Sequence, residues 1–216
     1  MGDIAKLCAI LTVVCLLNGL ALGYVRDTTR AAIEKSAAAT LAASLKLVLP
    51  GAEGFSGKKA APLPDGRSID YYEGYARGGG LAGFALCAER PGYQSPLKAL
   101  VGIDRGGTVQ GVKVIAQAET PGLGARIEEI EAKGTLWGRL AALFGRGGVK
   151  ENGPAEPWFQ AQYKGLSPGD ITLLRAGQGG AGIHAVTGAT ITSRAITDSV
   201  RETIEGFLAA MKEKGG

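Results

Sequence analysis

A chain of 216 residues, 45% of them hydrophobic and with a formal charge of +4, has room for one modest core beside a membrane segment but too little for two domains. Its lysines and arginines form no run interleaved with aromatics, which excludes a surface that tracks a nucleic-acid backbone. Its 35 glycines, spread without a collagen-like period, indicate many turns rather than disorder.

Residues 7–25 carry no charged side chain, Thr12 and Asn18 being the notable polar ones, and the stretch is long enough to cross a bilayer as a helix. A secretory signal peptide is the competing reading, with Lys6 as its basic start and Ala21-Leu22-Gly23 near a cleavage point. Length and the helical continuation favour an uncleaved, single-pass anchor over residues 1–25. Beyond it, Ile33, Ala37, Leu41 and Leu45 keep helical spacing until Pro50 ends the pattern, which predicts a stalk helix over residues 26–50. Lys6 before the span is outweighed by Arg26, Arg30 and Lys35 after it, so charge alone places the remainder in the cytoplasm. Cys8 and Cys15 fall in the span and Cys87 stands apart, so no disulfide or metal site is predicted.

Residues 51–216 read as one domain. The region up to about Ser68 is rich in Gly, Pro and Lys and reads as linker. Short extended segments follow at 69–76, 81–87, 97–103 and 109–116, separated by glycine-rich turns, which predicts an antiparallel meander. In Glu119-Thr120-Pro121-Gly122-Leu123-Gly124, Pro121-Gly122 reads as a turn, and Gly122 and Gly124 permit positive φ and close approach to a flat ligand ring. Residues 136–144 form an apolar patch in which Trp137, Leu140, Leu143 and Phe144 share a helical face, suited to core packing or to a membrane or subunit contact. Another strand is expected at 171–174. Gly177-Gln178-Gly179-Gly180-Ala181-Gly182 imitates a dinucleotide fingerprint, but too little chain follows to build the helix, strand and acidic residue such a site needs. No GxxxxGK[ST] sequence occurs, so neither NAD nor ATP binding is predicted.

The last element is an amphipathic helix, because Ile196, Val200, Ile204, Phe207, Leu208 and Met211 lie along one face. Thr192 or Ser193 is the expected N-cap. The turn Thr187-Gly188-Ala189-Thr190 opens onto that helix, where free amides and the positive end of the dipole favour an anion near Thr190, with Arg194 able to assist. A long helix over a meander makes the domain α+β.

The run Val186-Thr187-Gly188-Ala189-Thr190-Ile191-Thr192-Ser193 resembles the flavinylation motif of the RnfG/NqrC family, whose members carry FMN as a phosphoester on threonine. Glu119-Thr120-Pro121-Gly122-Leu123-Gly124 resembles a second segment of that family. Weaker echoes lie at Gly92-Tyr93, Pro96-Leu97 and Pro157-Trp158-Phe159, whereas residues 131–155 look like an insertion. The resemblance implies covalent FMN on Thr190, with Thr187, Gly188 and Ala189 completing the motif, and Glu119, Thr120, Gly122, Leu123 and Gly124 as the loop lining the ring. It departs at His184, where members usually have an acidic residue, and at Gln117, where many have histidine. It also implies an FMN domain outside the bacterial cytoplasmic membrane, against the charge rule, and a separate flavin transferase for maturation. The function it implies is a membrane-anchored electron-transfer subunit, assembled with other membrane subunits of an Rnf-type ion-translocating ferredoxin:NAD oxidoreductase. The alternatives are the NqrC-like subunit of a sodium-translocating quinone reductase and a non-redox membrane scaffold. With one histidine and no nucleophile beside an obvious base, little chemistry is expected of the chain by itself, and the FMN that the resemblance implies fits that deficit.

Overall fold

The computed structural model describes residues 2–63, 66–130, 156–175, 180 and 182–215. They belong to two compact units, Met1–Ala43 and Ser44–Gly216. The first unit is most of helix α1 (Gly2–Val48). Its apolar side chains, among them Leu7, Leu11 and Leu17, are exposed. It includes an 18-residue window of mean hydropathy 2.1, long and apolar enough to cross a membrane. The polar groups of this stretch turn onto the backbone: Thr12 Oγ1 donates to the Cys8 carbonyl at 2.8 Å, and Asn18 Nδ2 to that of Val14 at 2.8 Å. Local bonding of this kind satisfies polar side chains that hydrocarbon could not.

The second unit starts with the last turn of α1, where Ser44, Leu45 and Val48 are buried. Glycines make room for it. A Cβ on Gly102 would collide with the Val48 carbonyl, one on Gly111 would come within 3.1 Å of Val48 Cα, and one on Gly74 would strike Leu49. Gly102 and Gly111 are partners on adjacent strands, so two missing side chains cut a trough into one face of the sheet.

That sheet contains β1 (Gly54–Phe55), β2 (Lys59–Pro62), β3 (Ser68–Tyr75), β4 (Leu81–Pro91), β5 (Pro96–Ile103) and β6 (Val109–Ala116). The order is β1-β3-β4-β5-β6, with β2 also on β3, and every pairing is antiparallel. The expected strands at 69–76, 81–87, 97–103 and 109–116 are β3 to β6, β4 running on to Pro91. The stretch read as linker holds β1 and β2 instead. These two short strands owe their existence to the edge of β3, and Ala61 is buried in the core.

Helix α3 (Thr190–Gly215) covers the opposite face. Ile196, Val200, Ile204 and Phe207 join Tyr71, Phe84, Val101 and Ile103 in one buried cluster. The Phe207 ring lies 5.0 Å from those of both Tyr71 and Phe84, tilted against the first and edge-on to the second. Such aromatic pairs contribute about 0.5–1.5 kcal/mol each beyond their burial. The architecture is the expected α+β arrangement. Pairing between β3 and β4 ends at Tyr71 and Leu86, after which β3 stays with β2 and β4 with β5. A cleft of about 680 Å³ opens there, bounded by Asp70, Cys87 and Glu89 on the strands and by Ser199, Glu202 and Thr203 on α3.

The remaining elements are small. A 3₁₀ turn at Gly124–Glu128, helix α2 (Trp158–Ala161) and a 3₁₀ turn at Pro168–Asp170 precede β7 (Leu173–Leu174), which pairs in parallel with β8 (Ile183–His184). The strand expected at 171–174 is therefore shorter, because Ile171 closes the preceding turn with its amide on the Pro168 carbonyl. Tyr163 is fully buried, and its hydroxyl lies 2.8 Å from Thr197 Oγ1 on α3. Burial pushes this phenol well above its ordinary range. The apolar patch at 136–144 and the suspected insertion at 131–155 lie outside the described residues. The described part of the glycine-rich run, Gly180 and Gly182, precedes strand β8.

Gly102→Ala should destabilise the protein by about 1–3 kcal/mol through overpacking against Val48, whereas Gly57→Ala, whose new methyl meets open space, should not. Thermal unfolding of the full chain in detergent checks the pair.

Candidate functional site

Helix α3 begins at Thr190, earlier than either expected cap. Thr192 and Ser193 are buried in its first turn, and their hydroxyls serve tertiary contacts instead. Ser193 Oγ accepts the Val186 amide at 3.0 Å, while Thr192 Oγ1 donates to Glu119 Oε2 at 2.9 Å. Ahead of the helix, the Ala189 amide closes a turn on the Val186 carbonyl at 3.0 Å, and Gly188 takes φ 81°. A side chain at Gly188 would be strained in that conformation. Thr187, Gly188, Thr190 and Arg194 are exposed, with Ala189 tucked into the core. Thr190 is thus an exposed residue at the start of a helix of 26 residues, where the first amides have no intrahelical acceptor.

Behind this turn sits Glu119, 6% exposed. Its Oε1 accepts the amides of Gln94 at 3.0 Å and Ser95 at 3.1 Å, and its Oε2 accepts Thr192. Burial pushes the carboxyl up, but the hydrogen bonds it accepts, led by the Gln94 and Ser95 amides and the Thr192 hydroxyl, outweigh it and hold the group below the ordinary carboxylate range. Gly92 and Gly124 flank it: a Cβ on Gly92 would lie 2.5 Å from Oε1 and one on Gly124 2.6 Å from Oε2. The absent side chain of Gly124 therefore makes room for Glu119 and Thr192. Gly124 also lacks the expected positive φ, whereas Gly122 has it, at 78°.

The two sequence segments singled out, 119–124 and 187–190, come together here. A Cβ on Gly188 would stand 3.2 Å from Leu123 Cδ2. Leu123 is 48% exposed, Ile191 58% and Tyr93 70%, so apolar side chains remain in solvent beside the threonine. Thr120 Oγ1 donates to Gln94 Oε1 at 2.8 Å, and the Leu123 amide bonds back to the Thr120 carbonyl at 3.2 Å. Gln117 braces the loop from outside, accepting the Glu119 amide at 2.8 Å and donating to Glu128 Oε2 at 2.9 Å. His184 stands apart on β8, its backbone held by the Gln162 side chain. The 680 Å³ cleft is two turns or more along α3 from Thr190, lined by paired charges such as Arg90 and Glu202 at 2.8 Å. Among the described residues no group of ligating side chains suits a metal ion.

Sequence reading did not find Thr192 and the 93–95 turn as partners of Glu119. The link spans 73 positions and no local pattern announces it.

Because the Glu119 carboxyl is held below its ordinary value of 4.5, the folded state favours the anion, and its contribution is complete above that value and lost as pH falls through the lowered one. Stability measured between about pH 6 and 3 should therefore fall more steeply for the wild type than for Glu119→Gln.

Residues 92–205 match the FMN-binding domain family. The G subunit of an ion-translocating oxidoreductase complex from Methanosarcina acetivorans is 24% identical over 206 residues, 94% of each chain. The G subunit of a proton-translocating ferredoxin:NAD(+) oxidoreductase complex from Clostridium ljungdahlii is 24% identical over 198 residues, covering 90% of this chain and 86% of the relative. Among solved structures, Shewanella oneidensis NqrC overlays with a TM-score of 0.49 at 19% identity, over 77% of this chain and 73% of that one. With more than half its length inside the family match and relatives of the G type aligned nearly end to end, this chain belongs to the FMN-binding domain family, in its RnfG/NqrC branch.

Proposed function

We propose that this chain is a membrane-anchored electron-transfer subunit of an Rnf-type ion-translocating ferredoxin:NAD oxidoreductase complex, carrying FMN as a phosphoester on Thr190. Family membership and the relatives of the G type support FMN and a multisubunit complex. The observation that carries the attachment point is the exposed position of Thr190 at the N-terminus of α3, near the exposed side chains of Leu123 and Ile191. On this reading residues 1–25 anchor the chain, 26–50 form the stalk and 51–216 hold the flavin.

The residues fit such a group. The first-turn amides of α3 meet a phosphate, and Arg194, one turn on from Thr190, adds a cation. Leu123, Ile191 and Tyr93 offer apolar contact to a flat ring. Bound FMN supplies one- and two-electron chemistry that no side chain here provides. The protein's part is to hold it, and an ester would prevent its loss on the outer side of the membrane, where on this reading the domain lies. A threonine hydroxyl by itself is a poor nucleophile near neutral pH, so this reading includes a separate flavin transferase and an activated donor. With a flavin adenine dinucleotide donor, Thr190 Oγ1 would bond to the flavin-side phosphorus as the pyrophosphate P–O bond to AMP breaks, AMP leaving and the hydroxyl proton passing to solvent.

Mass analysis and peptide mapping after co-expression with a flavin transferase test the assignment. An FMN adduct should be present in the wild type, absent in Thr190→Ala and retained at lower yield in Thr192→Ala; an unmodified wild type would favour the scaffold reading. In loaded protein, Leu123→Ala should shift the flavin absorbance or midpoint potential, and an unchanged cofactor would remove that loop from the site.

A further inference from the structure

We infer that Glu119 is a positioning residue: it presents Thr190 for flavin attachment by clamping the 93–95 turn and the first turn of α3 together, without touching the flavin itself. The inference rests on the reading that Thr190 is the acceptor.

Three donors from two segments converge on one carboxylate: the Gln94 and Ser95 amides on Oε1, and the Thr192 hydroxyl on Oε2. A carboxylate is an acceptor at both oxygens, so it receives all three at once. Both oxygens are occupied and the side chain is buried, which leaves it unavailable as a surface ligand for a ring. Gly92 and Gly124 close on it from two sides, so it has little freedom to shift. Thr192 is two residues beyond Thr190 in the same helical turn, and fixing its side chain fixes the direction in which the turn presents the acceptor. Ser193 makes the matching bond to Val186 on the near side of the loop, so the 187–190 turn is held at both ends. Losing the carboxylate would leave two amides and a buried hydroxyl unpaired, a cost that loosens the turn.

Reach, more than charge, is what the clamp needs, and two substitutions separate them. Glu119→Gln keeps the length: its amide oxygen accepts Gln94 and Ser95, while its amide nitrogen faces Thr192, whose hydroxyl rotates to accept. Glu119→Asp keeps the charge but is one methylene short of spanning both sets of partners. The experiment is the rate of FMN attachment to the full chain in detergent, with a flavin transferase and FAD, followed by intact mass. Amide hydrogen exchange at residues 94, 95 and 190–192 is measured alongside on unloaded protein. Glu119→Gln should load within about twofold of wild type, and Glu119→Asp and Glu119→Ala about tenfold more slowly, with faster exchange at the named amides. Thr192→Val, which removes the hydroxyl and leaves the carboxylate, should also slow loading and loosen the first turn of α3. An Asp variant equal to wild type with a defective Gln variant would replace positioning by a charge effect. Wild-type rates and exchange in Asp and Thr192→Val would overturn the clamp. Wild-type protein that takes no flavin would instead overturn the assignment of Thr190, and the exchange pattern would still decide whether Glu119 holds the turn.

Discussion

The packing of α3 across the sheet is the contact on which the rest of the domain depends. Ile196, Val200, Ile204 and Phe207 bury one helical face against Tyr71, Phe84, Val101 and Ile103, and this fixes the axis of the helix relative to the strands. Once the axis is fixed, the N-terminus of the helix stands at one defined place at the rim of the domain. A helix end is useful for anion chemistry only when its amides are aimed, and here the aim comes from apolar burial further along the same helix. Tyr163 reinforces it, reaching Thr197 from the segment after α2.

At that rim the domain exchanges bulk for closeness. Glycines at 92 and 124 let a buried carboxylate sit between two turns, and Gly102 with Gly111 lets the end of α1 lie on the sheet. The two uses differ in kind. The trough is a matter of shape, filled by Val48, while the glutamate niche is a matter of polar satisfaction, since a buried anion persists only where donors surround it. Both place the abundant glycine of this chain in tight contacts as well as in turns.

The principal strands and the last helix were legible because their signals are local: continuous or alternating apolar runs between glycine turns, and a stripe at helical spacing from Ile196 to Met211. The strands β1 and β2 were not, since Gly54, Phe55 and the Lys59–Pro62 segment carry little apolar pattern and become strands by pairing with β3. The start of α3 was misplaced for a related reason. Serine and threonine at a helix start ordinarily cap it, but Ser193 and Thr192 spend their hydroxyls on Val186 and Glu119. The two motif segments were found as motifs, yet their meeting, and the part Gly124 plays in it, depends on a partner 73 positions away.

The parting of β3 from β4 past Tyr71 and Leu86 gives the final helix its mixed texture. Where the strands stay together, α3 presents isoleucine, valine and phenylalanine to them. Where they separate, it presents Ser199, Glu202 and Thr203 to an open wedge. The polar trio of Ser199, Glu202 and Thr203 beside an otherwise oily stripe is thus the imprint of a gap in the layer above, and marks where a neighbouring sheet divides.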